Sequence, residues 1–199
     1  MRWTPLLVLV LGLSSPAGAV TFVVNSTDVR SDANPADNVC DDGGGRCSLQ
    51  AAIEQATATA GLDTIEFGFQ GAGPFVIRPT YLTPLTAITG DVVINGYSQP
   101  GASANTLPAG TDAQILVEIE GDGFFAGVQV YGGHVALRGL AIRGFYACVR
   151  FEPVAASVAS SVLVGSVRIG GVANADRNLI SNNSIGVRLG SGSNFVINN

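Results

Sequence analysis

Several short segments in the second half of the chain alternate apolar residues with small or polar ones. Three of them carry nearly the same pattern: residues 127–130, 148–151 and 186–189. A period of two predicts β-strands, and the Gly- and Asn-rich stretches between the segments predict turns. Residues 115–120 form the clearest strand, with Glu118 and Glu120 on the face opposite to its apolar residues. Short strands that recur in phase are typical of stacked β-coils.

The apolar positions of these segments can be aligned in columns. The first face contains residues of three segments: Ala126, Val128 and Val130; Ala147, Val149 and Phe151; Ile185, Val187 and Leu189. On a second face, Leu140 and Ile142 align with Asn178 and Ile180. Residues 152–161 interrupt the register and are interpreted as an insertion. An antiparallel β-sandwich also has short alternating strands, but the shared register favours an all-β solenoid.

A single segment, residues 49–57, has the period of an α-helix. Its apolar residues recur at i, i+3, i+4 and i+7: Leu49, Ala52, Ile53 and Ala56. Ser48 is in place to cap its N-terminus, and Gly61 ends it. Three polar residues are expected mostly off the apolar face: Gln50, Glu54 and Gln55.

This helix suggests a division of the chain into a cap and a coil region. Residues 20–62, with a strand, an acidic loop and the helix, are predicted to cap the first coil, because an open end invites strand addition. Residues 63–199 are predicted to be the coils. The pattern stops directly after a strand, so the coils are expected to be incomplete at the C-terminus, with a bare terminal coil as the alternative.

Residues 1–19 have the organisation of an export signal. Arg2 supplies the positive charge, residues 6–13 form the apolar stretch, and residues 17–19 (Ala-Gly-Ala) form a small-residue cleavage site. The apolar run is shorter than the roughly 20 residues that span a bilayer. A short anchor or a buried strand is the alternative. The mature chain is therefore expected to begin near Val20, and no later segment is apolar enough to be transmembrane.

The three cysteines fall into a close pair and a single residue. Cys40 and Cys47 flank a Gly-rich loop, and an exported chain folds in an oxidising compartment, so a disulfide is predicted between them. With no further histidine or cysteine nearby, the pair is a poor zinc site. Cys148 is interpreted as a small, semi-buried residue of a coil, and a reactive thiol or an intermolecular pairing is the alternative.

The composition excludes two classes of partner. The chain has 47% hydrophobic and only 13% charged residues, a net charge of -5 and no lysine. Nucleic-acid binding needs a basic stripe, and an anionic membrane surface attracts basic segments. Neither partner is expected.

Three segments resemble a known family. Residues 47–53 (Cys-Ser-Leu-Gln-Ala-Ala-Ile) are similar to the Cys-Ser-Leu-Arg-Glu-Ala segment of exported bacterial β-helix proteins, the CSLREA domain. Residues 95–102 resemble a segment that often follows it. Residues 169–183 resemble the Ile-Gly-Gly…Arg-Asn-x-Ile-Ser-x-Asn repeat of right-handed parallel β-helices. Gln50 and Ala51 depart from the family's Arg and Glu, which removes the reciprocal bond of a capping box.

The resemblance implies a right-handed parallel β-helix of the pectin-lyase-like fold, with a short N-terminal capping helix. It also implies a secreted or cell-surface location. It does not imply an activity, because most members are known only as modules of large surface proteins.

The candidate catalytic residues do not assemble into a known arrangement. Glu118 and Glu120 lie about 7 Å apart along one strand, near the separation of an inverting glycosidase pair. A solvated strand face gives neither of them the raised pKa that a general acid needs, so a solvated face is the preferred interpretation. His134, the only histidine, is interpreted as a turn residue. No catalytic residue is therefore predicted.

Two binding hypotheses remain. Calcium prefers oxygen ligands, and five carboxylates of the acidic loop are candidates for it: Asp28, Asp32, Asp37, Asp41 and Asp42. A solvated acidic loop is the alternative, since no EF-hand spacing is present. Four arginines could bind acidic sugars or simply keep the outer surface wet: Arg138, Arg143, Arg150 and Arg188. Calcium is the only cofactor hypothesis.

The function predicted from these features is that of an exported, non-catalytic β-helix module, an adhesin-like or recognition scaffold with a carbohydrate or another surface protein as its partner. The alternatives are a polysaccharide-active enzyme whose site lies in coils beyond residue 199, and a non-functional fragment of a larger gene.

Overall fold

The computed structural model describes residues 18–35, 37–123, 126–151, 166–170, 177–189 and 194–198. In this part the chain is built mainly from β-strands, with one α-helix, as the sequence predicts. The helix, α1, spans Leu49–Ala58. The interpreted insertion at 152–161 and most of the predicted export signal lie outside the described residues.

Thirteen strands are described in chain order: β1 Thr21–Val24, β2 Leu62–Phe67, β3 Phe75–Ile77, β4 Asp91–Asn95, β5 Val117–Glu120, β6 Ala126–Val130, β7 His134–Arg138, β8 Leu140–Arg143, β9 Ala147–Phe151, β10 Ser166–Gly170, β11 Leu179–Ser181, β12 Ile185–Leu189 and β13 Asn194–Asn198. A short 3-10 helix, Gly96–Ser98, follows β4.

The strands form three sheets, and every strand pair within them is parallel. The six-stranded sheet has the order β1-β2-β4-β7-β10-β13, the four-stranded sheet β11-β8-β5-β3, and the three-stranded sheet β12-β9-β6. From β4 to β13, successive strands enter the six-, four- and three-stranded sheets in strict rotation. Within β4–β13, each strand therefore pairs with the strand three places before or after it in the chain.

The register confirms the predicted columns. Val128 pairs with Val149, which pairs in turn with Val187. Ile142 pairs with Ile180 in the four-stranded sheet. Because side chains alternate between the two faces of a strand, an in-register pairing keeps every apolar residue on the same side.

Each sheet turns one apolar face toward a common core. The six-stranded sheet contributes a row of paired, buried residues: Phe22, Ile65, Ile94 and Leu137. The four-stranded sheet contributes Ile77, Ile119 and Ile142, which are fully buried. Branched aliphatic side chains fit this half-buried, pleated surface, and their burial is the main term that stabilises the sheets.

Helix α1 covers the first strands of the six-stranded sheet. It packs against β1, β2 and β4, and its apolar residues are buried as predicted. The hydroxyl of Ser48 accepts a hydrogen bond of 3.0 Å from the amide of Ala51, so the predicted cap is confirmed. Gln50 and Gln55 differ from the expectation, because both are buried. In the described part of the chain, no helix is long and apolar enough to cross a membrane.

Candidate functional site

The strongest grouping of charged side chains lies on the outer face of the four-stranded sheet. We define the ionic cluster as Arg78, Glu118, Glu120 and Arg143. Glu118 and Glu120 project from β5, and Arg143 is the register partner of Glu120 on β8. Arg78 directly follows β3, on the other side of β5. Parallel pairing in register therefore brings two acidic and two basic residues from three strands together.

The arginines hold both carboxylates. Arg143 Nη1 lies 2.7 Å from Glu120 Oε1, and Arg143 Nη2 lies 3.0 Å from Glu118 Oε2. Arg78 Nη2 contacts the other oxygen of Glu120 at 2.9 Å. The hydrogen bond that Arg143 donates to Glu118, followed by the negative charge of Glu120, raises the pKa of Arg143 above its ordinary value. The guanidinium of Arg143 thus bridges the two carboxylates.

This arrangement differs from the solvated strand face that the sequence predicts. The side chains of Glu118 and Glu120 are only 20% and 26% exposed. A glycosidase pair requires one protonated acid and one free carboxylate on either side of the substrate. Here both carboxylates are neutralised by arginines, so the cluster has the character of a structural ion-pair network.

Two cavities flank the ionic cluster at opposite ends of β5. At the C-terminal end, a cavity of about 290 Å³ is lined by Arg78, Thr80, Glu120 and Asp122, among others. At the N-terminal end, a cavity of about 430 Å³ lies between the loop before β5 and the start of β11. The first has charged walls, whereas Ile115 and Leu179 give the second an apolar lining. The outer face of this sheet therefore changes from apolar at the N-terminal end of β5 to charged at its C-terminal end.

The remaining candidates for chemistry lie on other sheets. His134 is the first residue of β7, directly after a glycine turn, rather than within the turn as predicted, and its side chain is exposed. Its amide donates to Asp91 Oδ1 at 2.7 Å. Arg150 and Arg188 are register partners in the three-stranded sheet, whereas Arg138 belongs to the six-stranded sheet. The structure does not bring these arginines together with Arg143 on one surface.

The acidic loop, residues 26–46, is organised around a buried amide. Gln55 of α1 has no exposed surface, and its Nε2 lies 3.0–3.1 Å from four oxygens. The four are Asp32 Oδ1, the Asn34 carbonyl, Asp37 Oδ1 and the Val39 carbonyl. The same Asp32 and Asp37 oxygens also accept the amides of Asn34 and Val39, both at 2.8 Å. The side chain of Gln55 thus contacts two stretches of the loop, residues 32–34 and residues 37–39, and holds them together.

The other loop carboxylates bond to the chain in different places. Asp28 accepts a hydrogen bond of 2.6 Å from Arg46. Asp41 accepts from the amides of Gly43 and Gly45. Asp42 is buried, and its Oδ1 accepts from the amide of Gly44 at 2.9 Å. Its Oδ2 makes no hydrogen bond and lies 3.5 Å from Arg46 Nη2.

The five predicted calcium ligands therefore lie in three separate places instead of around one site. Asp32 and Asp37 surround Gln55, Asp28 and Asp42 flank Arg46, and Asp41 caps a turn. The hydrogen bond from the Val39 amide is the main cause that lowers the pKa of Asp37. Among the described residues, no group of three or more His, Cys, Asp or Glu side chains is placed to hold a metal ion. Calcium binding stays a prediction.

The predicted disulfide is confirmed, whereas the single cysteine is more buried than predicted. Cys40 and Cys47 form a disulfide with an S–S distance of 2.00 Å. Cys148, a residue of β9, is fully buried instead of semi-buried. Burial raises the pKa of the Cys148 thiol to about 12. Because the thiolate is the reactive form, the burial and the raised pKa both disfavour Cys148 as a nucleophile.

Sequence reasoning missed the two residues that organise these sites, Gln55 and Arg78. Gln55 lies next to the apolar face in the helical period, and no local signal says that it is buried. Arg78 follows a three-residue strand, so its neighbour across the sheet depends on a register that only the fold defines. The alternation of apolar and polar residues did place Glu118 and Glu120 on the correct face of β5, opposite to the buried Val117 and Ile119.

Similarity to known proteins does not identify either site. No protein-family model, curated protein or solved structure matches the chain. The resemblance of residues 47–53 to the CSLREA segment therefore stays a prediction, and function has to be argued from the geometry.

Proposed function

We propose that the three sheets are the faces of a right-handed parallel β-helix, and that residues 20–62 are its N-terminal cap. The rotation of successive strands through the six-, four- and three-stranded sheets supports this winding. Crossovers between parallel strands of one sheet are almost always right-handed. The packing of α1 across β1, β2 and β4 supports its role as a cap. The segment at 47–53 makes membership of the CSLREA-domain proteins our preferred assignment.

We further propose that the protein is exported and acts without catalysis, as an adhesin-like or recognition scaffold at the cell surface or outside the cell. The export-signal pattern at 1–19 supports the location. The disulfide between Cys40 and Cys47 gives weaker support, since such bonds persist mainly in oxidising compartments. A carbohydrate or another surface protein is the proposed partner.

The ionic cluster is the single observation that carries the non-catalytic part of the proposal. Among the described strands, Glu118 and Glu120 are the one pair of acids on a single strand face, and both contact Arg143 within 3.0 Å. Acid–base catalysis needs two groups in different protonation states. Two carboxylates that share one guanidinium are instead suited to holding strands together.

The test of this role is a cleavage assay on the purified chain from Val20 to Asn199. Neutral and uronic-acid polysaccharides are incubated with the protein, and reducing ends and unsaturated uronides are measured. We expect no product above that of the matched E118Q/E120Q variant. Turnover that falls at least a hundredfold in either single variant, E118Q or E120Q, would show that the cluster is catalytic and would overturn the proposal.

Location is tested in cells of an exporting bacterium. We expect the chain in the periplasm, on the surface or in the medium, sensitive to added protease, with the Cys40–Cys47 bond formed. Retention in the cytoplasm with three reduced thiols would contradict an exported scaffold. Deletion of residues 2–19 is the control, since it should abolish export and leave residues 20–199 intact.

A further inference from the structure

A buried carboxylate close to the start of the described chain has no charged partner among the residues that the structure describes. Asp63, on β2, has no exposed surface. The contacts of its side chain are an amide hydrogen bond of 2.8 Å from Val20 to Oδ1 and a hydroxyl hydrogen bond from Thr59 to Oδ2. Within the described residues, no arginine forms an ion pair with it.

This position is unfavourable for an isolated negative charge. A buried charge is normally paired, because removing it from water is costly. Asp63 also lies at the C-terminal end of α1, where Thr59 is the capping residue. The helix macrodipole is negative there and favours cations. Because of both effects, a positive charge close to the Asp63 carboxylate would stabilise the folded chain.

Val20 is the residue at which the sequence predicts the mature chain to begin. Signal-peptide removal after Ala19 hydrolyses the Ala19–Val20 peptide bond. Water adds across the bond, leaving a carboxylate on Ala19 and a protonated α-amine on Val20. The nitrogen that becomes charged is the one that already donates to Asp63 Oδ1 at 2.8 Å.

We propose that export processing completes the fold of the cap by creating an ion pair between the Val20 α-ammonium and the buried carboxylate of Asp63. The cleaved bond thereby converts a neutral amide hydrogen bond into a charge-assisted one, which is the stronger type.

The surroundings hold Val20 in place for this pairing. The carbonyl of Val20 accepts a hydrogen bond of 2.8 Å from the amide of Thr64, the residue after Asp63. Gly18 and Ala19 are exposed and line a cavity of about 460 Å³, together with residues at the end of α1. Their removal opens this space to the new ammonium, whose remaining hydrogens can then be hydrated. The hydrogen bond from Thr64 to the Val20 carbonyl does not involve Gly18 or Ala19, so it remains when these two residues are removed.

The inference rests on the proposed export, which supplies the cleavage, but the ion pair can be tested on purified protein. The chain contains no lysine, so the α-amine is its only primary amine. The chain from Val20 to Asn199 can therefore be acetylated at that single nitrogen. Acetyl-Val20 keeps an N–H that can donate to Asp63 but loses the positive charge. Comparing the two forms isolates the charge from the hydrogen bond.

We expect acetylation to lower the folding equilibrium constant by about tenfold or more, because breaking a buried pair leaves its partner uncompensated. A chain that begins at Ala19 should show a similar loss, since its ammonium is displaced by one residue. In the Asp63→Asn variant, acetylation should change the constant less than about twofold. The measurement is urea unfolding followed by circular dichroism.

Three results would overturn the inference, and they are separable. Equal stability of the free and acetylated chains would show that a neutral N–H stabilises the buried Asp63 as well as a charged ammonium does. An exported protein whose N-terminal residue, determined by mass spectrometry, is not Val20 would exclude the processing step. Uncleaved chain retained in the cytoplasm would overturn the proposed function together with the processing step, whatever the acetylation result.

Discussion

The N-terminal region at 20–62 and the strands that follow it are stabilised by different kinds of interaction. In the acidic loop and α1, polar side chains bond to specific backbone groups, and Gln55 alone lies within 3.1 Å of four oxygens. In the sheets, parallel backbone hydrogen bonds and rows of aliphatic residues repeat from strand to strand. One region depends on individual side chains, and the other on a repeated pattern.

This difference has a consequence for tolerance to substitution. A repeated apolar column accepts another aliphatic residue of similar volume, whereas a buried polar network loses partners when one member is removed. Damage in the sheets should spread, because each strand inside a sheet pairs with two neighbours. Damage in the acidic loop should remain local to residues 20–62.

The largest effect is expected from a cavity in the sheets. Leu137 on β7 is fully buried, with Ile94 on one side of it in the sheet. Leu137→Ala should destabilise the protein by about 2–5 kcal/mol, measured by urea unfolding. Leu82→Ala is the control, since Leu82 is 85% exposed, and it should change stability by less than about 0.5 kcal/mol. Equal effects of the two variants would contradict the core described above.

The next largest effect is expected from the disulfide. The bond closes a loop with a sequence separation of only 7 residues, for which the loss of unfolded-state entropy amounts to about 2.5 kcal/mol. Reduction, or the Cys40→Ala/Cys47→Ala double variant, should lower stability by about this amount. Hydrogen exchange should accelerate in residues 26–46 far more than in β7. A uniform acceleration across both regions would contradict a local role of the disulfide.

Removal of the buried amide should have a slightly smaller effect. Gln55→Ala leaves the carbonyls of Asn34 and Val39 without their side-chain donor, which costs about 2 kcal/mol. Gln70→Ala is the matched control, because Gln70 is exposed and should be neutral within about 0.5 kcal/mol. Amide exchange of residues 32–41 reports the expected local opening. An unchanged exchange rate there would show that Gln55 does not hold the loop.

At neutral pH the smallest effect is expected at Cys148, and this effect changes with pH. Its thiol titrates near pH 8.5 when unfolded, and burial raises the folded pKa to about 12. The neutral thiol therefore contributes full stability below about pH 8.5, and this contribution is lost as the pH rises toward 12. The stability difference between the native chain and Cys148→Ala should shrink between pH 8 and pH 10.5. The native thiol should also resist a thiol reagent at pH 8, and rapid labelling would contradict its burial.

Much of the architecture could be predicted from local sequence. The period-two alternation identified the strands at 126–130 and 147–151 and their register, since parallel neighbours with the same pattern bury the same face. The cap of α1 and the disulfide followed from short-range spacing, which limits the available geometry. The export signal, the family and the calcium site are still predictions.

The candidate site was less accessible to sequence reasoning. The alternation placed Glu118 and Glu120 on the outer face, but their partners come from residues about 25 and 40 positions away, Arg143 and Arg78. The burial of Gln55 was missed for a similar reason. The helical period alone places Gln55 at the edge of the apolar face. The acidic loop covers this edge only in the folded chain, so the local sequence does not indicate that Gln55 is buried.

The sequence by itself determined the features that depend on local spacing or on repetition. These are the alternation of the strands, the apolar columns, the single capped helix and the close cysteine pair. Each of these depends on neighbours within a few positions or on identical patterns stacked in register. Only the tertiary structure decided which charges meet, from the pairing of Arg143 with two glutamates to the placement of Asp63 beside Val20. Such contacts join residues from distant strands, and their energies depend on burial and distance, which no local pattern encodes.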